Sequence, residues 1–365
     1  MPVHQNLLFS DQKSAISATR GDLNLKICRE CGFVFNSTFD LSKLSYGEKY
    51  DNTQDLSAYF HNYVSNLATS IIQDKKIQNC NIVEIGCGKG TFLRKLVESE
   101  EWKNIGYGFD PSYQGPETDL DGRLNFQKCF YDSDCTNVDA DVIVCRHVIE
   151  HVPDPINLLK MIKKSLKPSK QVHIFFETPT VEWILKNKIL YDFFYEHCSY
   201  FSASSLSTAF EISGFKIEKA KTIFNGQYLW LEAINTTEKI QPRKNSDSLE
   251  NLALKYSKDE SKLKEDWTRK VRDLALDGPI AIWGAGAKGV TFANLIDPKR
   301  EYIDSIIDVN INKQGKFLPG TGHLIINYKE IPSRKINKVI LMNPNYYDEI
   351  LNLLKESKIE IDIIN

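Results

Sequence analysis

Two short glycine-rich stretches constrain the fold of this chain more than any other feature. "VEIGCGKGTFL" carries Gly86, Gly88 and Gly90, and "IWGAGAKGVTF" carries Gly284, Gly286 and Gly289. Each follows an apolar run that reads as a buried strand, and each precedes a segment with helical spacing of apolar residues. Each also has an acidic residue 24 positions after its first glycine, Asp110 and Asp308. A strand, a tight turn, a helix and a second strand ending in a carboxylate form the repeating unit of an open parallel sheet with helices on both faces. Two such units are therefore predicted.

The rest of the pattern fills in around them. "NIVEIG", "IGYGFD", "ADVIVC" and "QVHIFFE" read as strands. "GTFLRKLVES", "PINLLKMIKKSLKP" and "ASSLSTAFEISGF" read as helices, the second with proline in its first turn and the third closed by Gly214. "FKIEKAKTIF" and "QYLWLEAIN" read as a closing antiparallel pair. The expected organisation is an irregular N-terminal module at 1–55, a doubly wound α/β domain at 56–235 opened by an amphipathic helix at 57–74, a polar linker and charged helix at 236–276, and a second, smaller α/β domain at 277–365. "SIIDVN", "KVILMN" and "IEIDIIN" supply further strands of that last domain.

Charge and length narrow the function classes. A net charge of -2 over 365 residues offers no electrostatic case for nucleic acid or an anionic membrane. No apolar run approaches a membrane span, and "MPVHQNLLFSDQK" lacks the basic-then-apolar layout of a signal peptide. Eight scattered cysteines suit a reducing cytoplasm better than a disulfide scaffold.

The two glycine turns differ in chemistry. A helix N-terminus offers unpaired N–H groups, and glycines let a ligand approach them. Asp110 can accept the hydroxyls of a ribose, so the first turn suits an adenosine-type cofactor. Its spacing is G-x-G-x-G, with Thr91 in place of the third glycine of a dinucleotide loop. The second turn does read G-x-G-x-x-G, which alone suggests NAD. Too little chain remains for a full dinucleotide fold, however. Lys288 beside it suits a phosphate-bearing substrate, and a purely structural turn is the remaining reading.

Three further motifs carry possible chemistry. Cys28 and Cys31 in "ICRECGFVF" supply two of the four ligands a structural zinc needs, with His4 as a third candidate. A metal-free turn is the alternative. "HVIEH", from His147 to His151, matches the H-x-x-E-H form of a zinc protease. That form needs a long helix, and "PDP" interrupts it at once, so His151 is expected to be structural or a wall of the cofactor pocket. Finally, "DFFYEHCSYFS" sets Tyr195, Glu196, His197 and Tyr200 in an aromatic run just past a strand's C-terminal end. Ligands of open α/β sheets bind at that edge. Packing of aromatic side chains between units is the plainer explanation of the run.

With Glu84 before it, the first glycine loop resembles motif I of the S-adenosylmethionine (SAM) methyltransferases, in which the loop holds the methionine part. "ADVIVCRHVIEHVPDP" resembles that family's fourth strand and following turn. The resemblance implies that Cys145, Arg146 and His147 lie near the cofactor, and that Phe130 and Tyr131 meet the adenine. Nearly the whole chain resembles the sugar C-methyltransferases, which act on nucleotide-linked keto-deoxysugars. The parts that carry this are the partial Cys-x-x-Cys module, the segment ending "SYFS", and "GAGAKG", "NKQGKFLPGTGH" and "MNPNY" in the last domain. It implies a Rossmann-like SAM domain between a small zinc-knuckle-like module and a second Rossmann-like domain. SAM is the implied cofactor, with a structural zinc if Cys28 and Cys31 still hold one. Tyr50, Lys288 and Asn345 are the implied contacts to a nucleotide-sugar substrate.

The chemistry implied is C-methylation. Carbon beside a ketone becomes a nucleophile only once deprotonated, so a base and an enolate donor are required. His197 is the expected base, Glu196 the group that orients it, and Tyr195 or Tyr200 the donor. This chain departs from the family's Tyr-His-Glu-His-x-Ser-Tyr-Phe, reading Phe194-Tyr195-Glu196-His197-Cys198-Ser199-Tyr200-Phe201. The family's first cysteine pair is absent, and only Gly226 and Gln227 stand where it has His-Gly-Gly. The other readings are an O- or N-methyltransferase on a sugar or small molecule, and an NAD-dependent oxidoreductase using the second loop.

Overall fold

The computed structural model describes residues 1–44, 57–132, 138–238, 240–241 and 248–364. Its N-terminal part holds helix α1 (Gln12–Ile16) and strands β1 (Leu25–Ile27) and β2 (Val34–Asn36). The central part runs α2 (Ala58–Lys75), β3 (Asn81–Ile85), α3 (Thr91–Val97), β4 (Ile105–Phe109), β5 (Thr118–Asp119), β6 (Leu124–Gln127), β7 (Val142–Arg146), α4 (Pro155–Ser165), β8 (His173–Pro179), α5 (Val181–Asn187), β9 (Ser199–Tyr200), α6 (Ala203–Ile212), β10 (Phe215–Ile223) and β11 (Tyr228–Asn235). The last part runs α7 (Ser248–Ala275), β12 (Ile280–Trp283), α8 (Ala287–Ile296), β13 (Ile303–Ile307), β14 (Ile325–Ile326), β15 (Lys338–Leu341), α9 (Tyr347–Glu356) and β16 (Asp362–Ile364).

The central sheet has eight strands in the order β10-β11-β8-β7-β3-β4-β6-β5. β3, β4, β6, β7 and β8 are parallel, and β10 with β11 closes the β8 edge antiparallel. The inner strands are buried on both faces, so they read as continuous apolar runs. Helices cover each face, and two apolar clusters separate accordingly: Ile143, Phe176 and Phe210 lie in one, Phe92, Phe175 and Trp230 in the other. From β3 the chain winds first through β4 and β6, then returns to the other side through β7 and β8. The order reverses between β3 and β7, which makes their C-terminal ends the place where a crevice opens.

The last part is a five-stranded parallel sheet in the order β14-β13-β12-β15-β16. It is tied to the central domain by shared core. Leu190 and Tyr191, just after α5, pack among Val290, Phe292 and Ile282. Glu349 of α9 accepts from Ser57 Oγ at 2.6 Å and from Ala58 N–H at 3.0 Å, so a carboxylate of one unit caps helix α2 of the other.

The expectation of irregular structure over 1–55 is corrected here. β1 and β2 form a hairpin, and β9 adds to it with Tyr200 opposite Val34 and Ser199 opposite Phe35. The first 21 residues run as an arm over the last domain. Phe9 bridges Phe317, and Arg20 donates to the carbonyl of Gly320. Strands of two and three residues carry too little periodicity to be read from sequence. Among the described residues, no helix is long and apolar enough to cross a membrane.

Candidate active site

The first glycine turn leaves β3 at the switch point. Gly86, Gly88 and Gly90 all take positive φ, at 70°, 54° and 75°, a backbone shape that any side chain would strain. A Cβ on Gly88 would meet nothing within 4 Å, so the turn faces open space. Gly88 N–H donates to Asp110 Oδ2 at 2.9 Å, while Ser112 N–H and Oγ–H both donate to Oδ1, at 2.7 and 2.6 Å. A carboxylate accepts about four hydrogen bonds. Asp110 thus has room for one ribose hydroxyl, not the pair its position suggested. Beneath the turn, Glu84 is buried and accepts Leu93 N–H at 3.0 Å. Burial raises its carboxyl to about 8.

Across the switch point, β7 ends in Arg146, paired in register with Glu177 of β8. Arg146 grips the buried Glu177 carboxylate at 2.9 and 3.4 Å, and its guanidinium stacks on Phe92 at 4.3 Å. His147 follows with φ 54°, an uncommon conformation for a histidine that turns its side chain back over β8. Its Nε2 lies 2.8 Å from Glu177 Oε1, and its Nδ1 lies 3.6 Å from Glu150 Oε1. Burial alone would lower the imidazole's pKa, but the carboxylates outweigh it and raise it to about 9. Burial alone would raise the Glu177 carboxyl, but Arg146 and His147 hold it near 2. The ring of Tyr228 meets His147 edge-on at 4.6 Å.

The turn after His147 places Glu150 and His151 against the Tyr/Glu/His segment. His151 and His197 meet edge to face at 4.7 Å. His151 Nδ1 lies 3.0 Å from the Glu196 carbonyl, and Thr178 Oγ1 donates to Glu150 Oε2 at 3.0 Å. His197 is 9% exposed, and its Nδ1 has no hydrogen-bond partner among the described residues. Burial, with the neighbouring histidines, lowers its pKa to about 3. It is therefore a neutral imidazole with an open nitrogen.

Several expectations are corrected by this geometry. Glu196 does not orient His197: its carboxylate meets His4 Nδ1 at 3.1 Å, both groups being buried. His4 is accordingly spent on Glu196 and is no ligand for the cysteine pair. Tyr195 is turned into the N-terminal segment, where its hydroxyl accepts Asp40 N–H at 2.9 Å. Tyr200 locks its own loop, accepting Phe194 N–H at 2.7 Å and donating to Phe194 O at 3.0 Å. Neither hydroxyl is available to an enolate. Cys145 has no exposed surface and packs in the core.

Tyr131 is also a core residue, against Phe109 and with its hydroxyl 3.0 Å from Ser165 Oγ. Phe130 beside it is 66% exposed. Lys288 reaches across the units to Asp192 at 2.5 Å and lies over Trp183, with Gln227 Oε1 at 3.4 Å. Asn345 supports the 224–227 turn, accepting from Asn225 Nδ2 at 3.0 Å and donating to Phe224 O. Tyr50 lies outside the described residues.

Cys28 and Cys31 supply two of the four ligands of a structural zinc, and among the described residues no third His, Cys, Asp or Glu gathers with them. They sit on a turn closed by Gly32 N–H to Cys28 O at 2.8 Å, and both are free. Among the described residues the group able to hold a metal ion lies elsewhere, at Glu150, His151 and His197. The second glycine turn is braced by its own chain, although a Cβ on Gly286 would meet nothing within 4 Å. Asp308 accepts Ala285 N–H at 2.9 Å and Asn310 N–H at 2.8 Å, and the buried Lys313 ammonium lies 3.2 Å from Ala285 O. Gly289 lets α8 close on the strand, since a Cβ there would stand 1.9 Å from Gly284 O.

Sequence reasoning missed Glu177, Glu150 and Tyr228. Glu177 did leave a signal: it is a lone carboxylate in the apolar run "HIFFETP", which demands a buried partner.

Similar proteins point the same way. Residues 50–220 match the family described as "Methyltransferase domain", and residues 232–360 match "C-methyltransferase C-terminal domain". The C-methyltransferase NovU of Streptomyces niveus is 26% identical over 230 residues, 60% of this chain and 54% of that protein. A tRNA U34 carboxymethyltransferase of Nautilia profundicola is 28% identical over 108 residues, 26% of this chain and 34% of that one. The chain thus spans about half or less of the length of these relatives. Among solved structures, the 1,6-didemethyltoxoflavin-N1-methyltransferase of Burkholderia thailandensis is 14% identical, with a TM-score of 0.38 over 49% of this chain and 81% of that one. The magnesium protoporphyrin IX methyltransferase of Synechocystis is 13% identical, with a TM-score of 0.38 over 50% and 86%. The sheet order, the glycine turn at its switch point and the two consecutive domain matches agree: the chain carries a methyltransferase domain followed by a C-methyltransferase C-terminal domain.

Proposed function

We propose that this protein transfers a methyl group to carbon, on a nucleotide-linked keto-deoxysugar. The observation that carries the reading is His197, a neutral imidazole with a buried, unpartnered Nδ1 at the sheet's C-terminal edge. Leaving a buried nitrogen unpaired costs about 1–3 kcal/mol, a cost that a bound substrate would offset. SAM, when bound, supplies an electrophilic methyl group. The Gly86–Gly90 turn, Asp110 and the exposed ring of Phe130 are the residues that would hold it. His197 Nδ1 takes the proton from the carbon beside the substrate's ketone, and Glu150 stabilises the imidazolium that forms. Burial raises the Tyr228 hydroxyl well above its ordinary pKa, so it stays protonated. It replaces Tyr195 and Tyr200 as the donor we assign to the enolate oxygen.

Lys288, Trp183 and Gln227, which meet where the two units join, are the residues we assign to the nucleotide. All seven cysteines among the described residues are free, which supports a reducing cytoplasm as the working compartment. We route nothing through a zinc at Cys28 and Cys31.

The test is proton exchange without methyl transfer. The protein saturated with S-adenosylhomocysteine is incubated in D₂O with a panel of nucleotide-linked keto-deoxysugars. Deuterium should enter the carbon beside the ketone, and His197→Asn should slow that exchange by roughly 10²–10⁴-fold. Full methyl transfer by His197→Asn would remove the base assignment. Methylated hydroxyl or amine products without any exchange would move the protein to the O- or N-methyltransferases.

A further inference from the structure

Two short stretches far apart in the chain meet where the two units join: "FNGQY" at 224–228, between β10 and β11, and "MNPNY" at 342–346, after β15. The first is a strained turn. Phe224, Asn225 and Gly226 take φ of 50°, 54° and 83°, three left-handed residues in succession. Only glycine adopts that shape freely, so Phe224 and Asn225 keep it because surrounding contacts hold them in it. Tyr228, which we assign to the enolate oxygen, leaves this turn as the first residue of β11.

The holding contacts come from the last domain. Gln227 and Asn343 face each other as paired side-chain amides. Gln227 Nε2 donates to Asn343 Oδ1 at 2.9 Å, and Asn343 Nδ2 donates back to Gln227 Oε1 at 3.2 Å. Asn343 Oδ1 also accepts Asn345 N–H at 3.1 Å, which fills both lone pairs of that oxygen and sets the direction of the next residues. Asn345 then reaches both strained non-glycine residues: its Nδ2 donates to Phe224 O at 3.3 Å, and its Oδ1 accepts Asn225 Nδ2 at 3.0 Å. The Phe224 ring held in this way lies nearly parallel to that of Tyr228, with centroids 4.7 Å apart and 5° between the planes.

We propose that Asn343 and Asn345 are positioning residues for Tyr228, through which the last domain takes part in the methyl-transfer chemistry. The proposal rests on the reading of Tyr228 as the enolate donor. A donor stabilises an enolate only if its hydroxyl already stands where the charge develops. A turn held against its own backbone preference does not keep that place unaided. Neither asparagine touches the reacting atoms; both act through Phe224, Gln227 and Tyr228.

The experiment is a double-mutant cycle on the full chain. It is read by deuterium entry, with S-adenosylhomocysteine bound, into a nucleotide-linked keto-deoxysugar on which the parent protein exchanges. Tyr228→Phe should slow the exchange by roughly 10²–10³-fold. Asn343→Leu, close in size, should slow it by roughly tenfold or more, with the half-saturating sugar concentration and the S-adenosylhomocysteine affinity within about twofold of the parent. In the Tyr228→Phe background, Asn343→Leu should change the rate by less than about twofold, because no hydroxyl remains to be positioned. S-adenosylhomocysteine titration of each variant verifies that its central domain is folded. Where Asn343→Leu fails that check, Asn345→Ala takes its place in the same cycle with the same expectation. Exchange unchanged by the asparagine variant, slowing that simply multiplies with that of Tyr228→Phe, or no effect of Tyr228→Phe itself would overturn the proposal. A parent protein that binds S-adenosylhomocysteine but exchanges deuterium into no keto-sugar removes the C-methylation reading, and this proposal with it.

Discussion

Glu177 is the group on which the interior of the site depends, and Glu177→Gln is the perturbation that shows it. The carboxylate has no exposed surface and meets three donors: Arg146 Nε at 2.9 Å, Arg146 NH2 at 3.4 Å and His147 Nε2 at 2.8 Å. Glutamine preserves shape and one acceptor but removes the charge. Arg146, whose side chain is 10% exposed, is then a buried guanidinium without a counter-charge. Breaking a buried pair from one side costs about 3–5 kcal/mol, much of a typical domain stability of roughly 5–15 kcal/mol. At about 1.4 kcal/mol per decade, the folding constant should fall roughly 10²–10³·⁵-fold. Urea unfolding monitored through the central domain measures this. Arg146→Leu with Glu177→Leu removes both charges and should recover much of the loss, because apolar replacement of a whole buried pair is often neutral. If Glu177→Gln costs under about 1 kcal/mol, or the double variant is no better than the single, the pair is not the desolvated clamp its burial implies.

Three further outcomes are expected. Folded Glu84 holds its proton to about pH 8 and the unfolded carboxyl only to about 4.5, so its contribution is full below pH 4.5 and is lost as pH rises through 8. That is up to about 5 kcal/mol, and Glu84→Gln, which keeps the acceptor for Leu93 N–H, should flatten the loss in unfolding curves taken between pH 5 and 9. Gly21→Ala would place a Cβ 2.0 Å from the Tyr195 ring, so it should destabilise the protein by about 1–3 kcal/mol in thermal melts, and Tyr195→Ala should absorb part of that cost. Glu349→Ala removes the external cap of α2, and at about 1 kcal/mol the amides of Ala58 and Tyr59 should exchange roughly fivefold faster.

The inner strands were legible because a strand buried on both faces must be apolar throughout, as β3, β7 and β8 are. The glycine turn and Asp110 were legible because only backbone chemistry decides them. What could not be read was pairing across distance. Nothing near His4 announces that it meets Glu196 192 residues on, and nothing in "FYEHCSYF" says that both tyrosine hydroxyls are used up by main chain. Residue type foretold proton chemistry in that segment. Which side chains perform it is set by how β9 joins the N-terminal hairpin, a contact of two residue pairs with no local pattern.

The arm over the last domain bears on the order in which this protein is made. The hydrogen bond from Gln12 to Gly322 closes a loop of 310 residues, and that from Arg20 to Gly320 one of 300. Gln12 and Arg20 thus find these partners only after some 300 further residues have been made. Since the same arm carries His4 to Glu196, its full seating waits for the last domain, which is made after the glycine turn and the central sheet.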